Sequence, residues 1–430
     1  MNVLFSLLLL FLITSFEMGT FNVFFGSLVH NSVIAFCFGI VAFSWLVKVI
    51  NTKSIQNSGL FEAIEFRYFL SFLVVSGIYF IVHAFIIGPF LGAKYSAYLF
   101  LLFFLITQMK RRNFEMLCSI YLYFMAFLAL MSVIQLGLVS ISGLSLDQFD
   151  SIKLIEDDFF RSVDYVMPYF MGYMSVEESV SFGPLNFVRT IGFSSEPKYF
   201  SVMLLVALAI SMGWNSFDSN IELLVIKILL WLGLFFSHAY STLLVIAFAF
   251  AFYNILSIGL LSNRFKAILI ILTPIILLAL ITPLMEFVLS YILNNDYAAA
   301  RAASFLYSTS DGNIFNISEF GLMGKNVGGE DGDIVSVSLI QNWYRFGHIG
   351  FALYLIPVIF MLYKTISYYK FIKKNQKKSI VLLLATYIVF YQIFFGQPFT
   401  MLSIFILAVL YNRTKSAVGL ESSVADRHLI

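Results

Sequence analysis

Long apolar runs separated by short polar interruptions organise the chain along its whole length. The runs approach the ~20 residues that a helix needs to cross hydrocarbon. They fall at 2–16, 21–47, 66–87, 95–109, 114–139, 198–213, 223–237, 240–262, 267–289, 346–363, 379–395 and 399–411. A backbone in hydrocarbon must satisfy its N–H and C=O groups within each segment, so such runs predict helices, not open sheets. The expected fold class is all-α: a polytopic transmembrane helical bundle of about 12 spans. The first, fourth and last runs are short enough to be re-entrant. Met1–Phe16 lacks a Lys/Arg-rich leader region and reads as a retained first span, not a cleaved signal.

Two interruptions stand apart, at 140–197 and 290–345. They divide the chain into spans one to five (1–139), a first large loop (140–197), spans six to nine (198–289), a second large loop (290–345), three last spans (346–411) and a tail (412–430). Loops of that length usually carry function. These two hold Tyr165, Phe170, Tyr173, Phe187, Phe305 and Trp343 among polar residues, which a disordered tether would lack. No internal repeat of fixed period is present.

Charge orients this arrangement. Lys and Arg are retained on the cytoplasmic side of short loops, and Lys110-Arg-Arg112 and the lysines between 364 and 378 form two basic clusters. With both termini cytoplasmic, eight of the 26 Lys and Arg lie outside: Lys94, Lys153, Arg161, Arg189, Lys198, Arg301, Lys325 and Arg345. Both large loops are then extracytoplasmic, and acidic residues outnumber these cations there. A broad basic surface is absent, and nucleic acid is not an expected partner. The hydrophobic share of 60% against 12% charged excludes a soluble enzyme core. Cys37 and Cys118 sit in apolar runs and suggest neither a disulfide framework nor a thiolate metal site.

The first loop re-enters the membrane through Phe187–Ser201. Pro197 suits the first turn of a following helix, and Ser194, Ser195 and Glu196 supply acceptors for its free amides. Capping leaves Arg189 unexplained. It reads either as a snorkelling interfacial anchor or as an anion clamp, because a guanidinium forks bidentately onto phosphate. The helix start at Lys198 would add N–H donors for the same anion. The second loop carries Arg301 in a small-residue setting, then glycines 321, 324, 328, 329 and 332, and closes through Asp331-Gly-Asp333 and Asn342–Gly350. Those glycines read equally as a backbone that approaches a ligand, a lid or plain turns. Asp331-Gly-Asp333 is too short a pattern to assign a metal. His348 reads as a cap or interfacial residue, and His83 and His238 as packing residues.

In this order, Arg189-Thr-Ile-Gly192 running into Glu196-Pro-Lys-Tyr-Phe-Ser201, the polar break Ser237–Thr242, Arg301, and Gly347-His-Ile-Gly350 resemble the Wzy-type O-antigen polymerase and ligase superfamily. The resemblance covers residues 180–365 by motif and the rest by hydropathy. It implies a glycosyltransferase of the bacterial inner membrane with its active face periplasmic. Such an enzyme polymerises oligosaccharide repeats carried on undecaprenyl pyrophosphate. Donor and acceptor lipids, membrane lipid and a chain-length regulator would be its partners, and it needs no cofactor. Carried onto this chain, the catalytic set is Arg189 and Arg301, with Glu196 or Asp333 as the available base; Arg161, Lys198, Arg345, Gly192 and Lys325 would bind substrate. Ser336 stands where ligases carry their histidine, which favours polymerase over ligase. A lipid-linked oligosaccharide flippase is the rival of a different class, although alternating-access transporters usually show repeated halves.

Overall fold

The computed structural model describes residues 3–14, 20–52, 63–86, 89–142, 152–153, 164–170, 172–182, 185–194, 197–213, 220–237, 239–273, 321–323, 338–372, 374–394 and 400–425. Every apolar run is helical over most of its described length; the run 240–262 leaves the helix at 258. The helices are α1 Val3–Thr14, α2 Thr20–Thr52, α3 Ala63–Ile86, α4 Pro89–Phe103, α5 Arg111–Ser142, α6 Pro197–Met212, α7 Asn220–Ser237 and α8 Tyr240–Ser257. After α9 (263–273) come α10 Ser338–Tyr368, α11 Lys374–Ala385 and α12 Met401–Ala425. Wider π-turns extend α4 over Phe104–Gln108 and α11 over Thr386–Phe394.

Among the described residues four stretches, Val29–Thr52, Glu65–Ile86, Arg111–Ile141 and Phe346–Phe371, are long and apolar enough to cross a membrane. Shorter apolar helices accompany them at Val3–Thr14, Tyr95–Gln108, Lys198–Met212, Thr242–Ser257 and Met401–Thr414. Apolar side chains cover the outer faces of α2 and α3, where Phe36, Phe43, Ile50, Val75, Ile78 and Phe85 are exposed. A soluble monomer rarely presents apolar surface on that scale. The protein is helical and of membrane type.

The first large loop departs from the helical expectation. It contains a four-stranded antiparallel meander in the order β1-β2-β3-β4, built from β1 Ile152–Lys153, β2 Asp164–Val166, β3 Tyr173–Phe182 and β4 Leu185–Gly192. The long strands pair from Phe182↔Leu185 to Tyr173↔Gly192, with a register shift between Met174 and Ser179. Val180 and Phe182, set among Ser179 and Ser181, give the end of β3 next to the Phe182↔Leu185 pair a short alternating run.

By internal contacts the chain forms two compact units. The first comprises 1–59, 108–247 and 374–383, and the second 60–107, 248–373 and 384–430. In the first, α6 is the core. Its residues from Phe200 to Ser211 are buried on every side. Tyr121 of α5 donates to the Met203 carbonyl at 3.0 Å, and Ser379 of α11 donates to Ala209 O. The meander rests on α5 and α7 through Leu136, Val139, Val166 and Met174, flanked by Val188 and Phe236.

In the second unit α3, α10 and α12 are tied together near one end. Glu65, in the first turn of α3, pairs with the Lys364 ammonium and accepts from the Tyr411 hydroxyl at 3.1 Å. Phe360 and Tyr368 face the same ammonium.

Candidate functional site

Arg189 lies on β4 in the first unit. In the register, Val188 faces Ser179 and Thr190 faces Met174, so Arg189 stands opposite the irregular stretch of β3 that includes Glu177 and Glu178. Bulges of this kind occur often beside functional sites. Past Thr190 and Ile191 the strand ends at Gly192, whose φ is +58°. A Cβ there would also lie 2.6 Å from the ring of the buried Phe200. Only glycine meets both demands, and this locks the end of β4 against the first turns of α6.

The amide of Ser194 closes the turn on Ile191 O at 3.1 Å, and Pro197 opens α6. Lys198 follows, half-buried, with its ammonium 4.9 Å from the Tyr199 ring centre. Arg189 and Gly192 thus belong to the end of β4 and its turn, and Lys198 to the first turn of α6; of these elements the sequence predicted only the helix start.

Beneath this turn is a polar corner that the sequence analysis did not single out. Gln135 of α5 donates its amide to Gly172 O at 2.9 Å, and its Oε1 is buried with no hydrogen bond to a described residue. Thr190, opposite Met174 in the register, is also buried, and its Oγ1 likewise bonds no described residue. Buried polar atoms are nearly always bonded, to protein, water or ligand. Thr242 Oγ1, in the first turn of α8, and Ser6 Oγ are further buried atoms of this kind in the same unit. The one sequence signal for Gln135 is an amide inside an apolar span.

The Gly347-His-Ile-Gly350 motif belongs to the second unit. Gly347 takes φ +63° and breaks α10. The amides of His348 and Ile349 turn instead to Gly321 O and Leu322 O, at 3.0 and 3.3 Å, and so hold the described part of the second large loop. The Phe346 carbonyl accepts from Tyr79 at 2.7 Å. A Cβ on Gly350 would meet the Tyr79 ring at 2.8 Å. His348 Nδ1 accepts from the Trp343 indole at 2.9 Å, which places the proton of the neutral ring on Nε2. His83 is fully buried near the rings of Tyr79 and Phe346.

Arg345 is placed on α10 two residues before the break. Arg161, Glu196, Arg301, Lys325 and Asp333 lie outside the described residues, as do His238 and the Asp331-Gly-Asp333 stretch. Cys37 and Cys118 are free thiols. The chain matches no protein-family model, no curated protein and no solved structure.

Proposed function

We propose that the chain is a membrane glycosyltransferase that polymerises polyprenyl-pyrophosphate-linked oligosaccharide repeats into a surface polysaccharide. It would sit in a bacterial inner membrane with about 12 spans, both termini cytoplasmic and both large loops outside. The observation that supports this most is the strand end and helix start that carry Arg189, Gly192 and Lys198, in the unit where Thr190 Oγ1 and Gln135 Oε1 are buried and bond no described residue. It combines cations for a pyrophosphate with polar atoms suited to sugar hydroxyls.

In this reading the acceptor hydroxyl gives its proton to a carboxylate, Glu196 or Asp333, and attacks the anomeric carbon of the donor. The new C–O bond forms as the bond from that carbon to the lipid pyrophosphate breaks. The leaving pyrophosphate carries away the electron pair, and Arg189 and Arg301 stabilise its charge. Arg161, Lys198, Lys325 and Arg345 are secondary cations on the same outer face, and Gly192 sets the turn.

Arg189→Ala and Arg301→Ala are expected to lower polymer formation by about a hundredfold or more at normal protein level. Unchanged polymer on a surface-glycan gel would remove the reading. In a deletion strain, a single repeat still attached to its acceptor supports polymerase. Accumulated lipid-linked polymer would mean a ligase, and no surface sugar at all a flippase.

A further inference from the structure

α10 is interrupted at Gly347, and side chains from both sides of the break are tied across it. The Trp343 indole donates to His348 Nδ1 at 2.9 Å. The same indole stacks on Phe351, with ring centres 4.7 Å apart and planes 3° from parallel. Tyr79 of α3 bridges the break from outside: its hydroxyl donates to the Phe346 carbonyl at 2.7 Å, and its ring lies against Gly350. The Phe346 ring is fully buried against Phe80, Tyr95 and His83.

What the bend delivers is a pair of amides. A helix leaves its first N–H groups without intrahelical acceptors, and the break makes His348 and Ile349 the first residues of the segment that follows. Both amides turn to the second large loop, at Gly321 O and Leu322 O. Leu322 is 64% exposed, so hydrogen bonds carry this attachment and apolar burial adds little.

In the neutral and mildly acidic range, one of the ties across the break depends on protonation. A neutral imidazole accepts at one nitrogen and donates at the other, whereas an imidazolium donates at both. A proton taken up by His348 goes to Nδ1, the nitrogen at which the indole N–H is aimed. Two donors then face each other and the bond is lost. The indole is pinned on Phe351, so the imidazole has to move, and it is carried by the residue whose amide holds Gly321. Among the described residues, the titratable side chains packed on the break from other elements are Tyr79 and His83 of α3 and Tyr95 of α4. Arg345 belongs to α10 itself, and the turn 321–323 carries no titratable group.

We propose that His348 is a pH-sensitive catch for the second large loop: its neutral ring holds the bend of α10, and its protonation loosens the grip on Gly321 and Leu322. The hold is present above the imidazole titration and is lost as pH falls through it. The catch uses none of the residues to which the glycosyltransferase reading gives a role, and it stands whether or not that reading does.

Amide hydrogen exchange of the full chain in a neutral detergent tests this. It is read by mass spectrometry from about pH 5 to about pH 8, where histidines titrate, and divided at each pH by the rate of an unstructured amide. In the wild type, protection of the segment 346–351 is expected to fall about tenfold or more at the acid end, while that of α6 stays constant. His348→Gln, which takes no proton, should keep one level of protection across the range. Trp343→Phe retains an aromatic ring for Phe351 but has no indole donor, and should likewise remove the pH dependence. Each variant is compared with itself across pH, so either one reports if the other fails to fold. Unchanged wild-type protection at 346–351 overturns the proposal. The same fall in both variants also overturns it and places the titrating group elsewhere, His83 included. A fall shared equally by α6 is general unfolding and overturns it as well.

Discussion

Gly192 couples two requirements that have different physical origins. Its left-handed backbone resists any side chain by about 1–2 kcal/mol, and the Phe200 ring leaves no room for a Cβ, an overpacking worth about 1–3 kcal/mol. Gly192→Ala is therefore expected to destabilise the first unit by about 2–5 kcal/mol, read as a lower unfolding midpoint. A change under about 0.5 kcal/mol would mean that the turn relaxes freely. The glycine itself stood out in the sequence as the end of Arg189-Thr-Ile-Gly192. Its partner did not, because nothing in an apolar run distinguishes Phe200 from the phenylalanines around it. Lys266 shows the opposite failure: nothing in the pattern around it tells that it is buried and bonded to the Leu256 carbonyl at the end of α8.

At the scale of elements, the tie between α3, α10 and α12 is the clearest polar device. Lys364 and Glu65 are only 19% and 15% exposed, so removing one charge leaves the other poorly solvated. Glu65→Gln alone is expected to lower stability by about 2–4 kcal/mol. Adding Lys364→Met should restore a large part of it, since a matched apolar replacement of a buried pair is often neutral. A double-mutant cycle measures this, and strictly additive losses would show that the pair is not coupled. Helices were legible because run length alone specifies them in hydrocarbon. The meander was not. Its longest strand carries Glu177 and Glu178 side by side at the bulge, which interrupts the alternation that would have marked it. The break of α10 was legible only as a motif, Gly347-His-Ile-Gly350, and its use of freed amides to hold Gly321 and Leu322 needs the folded chain.

For the whole molecule, orientation is the property that every functional argument presupposes. In a chain with Cys37 and Cys118 replaced by serine, a single cysteine at Arg112 is expected to resist a membrane-impermeant thiol reagent applied from outside. One at Ser181, in the first large loop, should react. The reverse pattern would turn the molecule over and place Arg189 against the cytoplasm. Of the site carried over from the resemblance, the strand-turn-helix around Gly192 and Lys198 is visible in the fold, while Arg161, Glu196, Arg301, Lys325 and Asp333 belong to stretches outside the described residues.

The Glu65 tie also bears on how the protein is made. α5, α6 and α7 follow one another along the chain, separated only by the first large loop and a short connection, so their packing can begin as each helix leaves the ribosome. Glu65 meets Lys364 across 299 residues and Tyr411 across 346. During synthesis its carboxylate waits, without these partners, until α10 and then α12 have been inserted. The ion pair thus closes late, and its formation marks the moment when the early and late helices of the second unit become one structure.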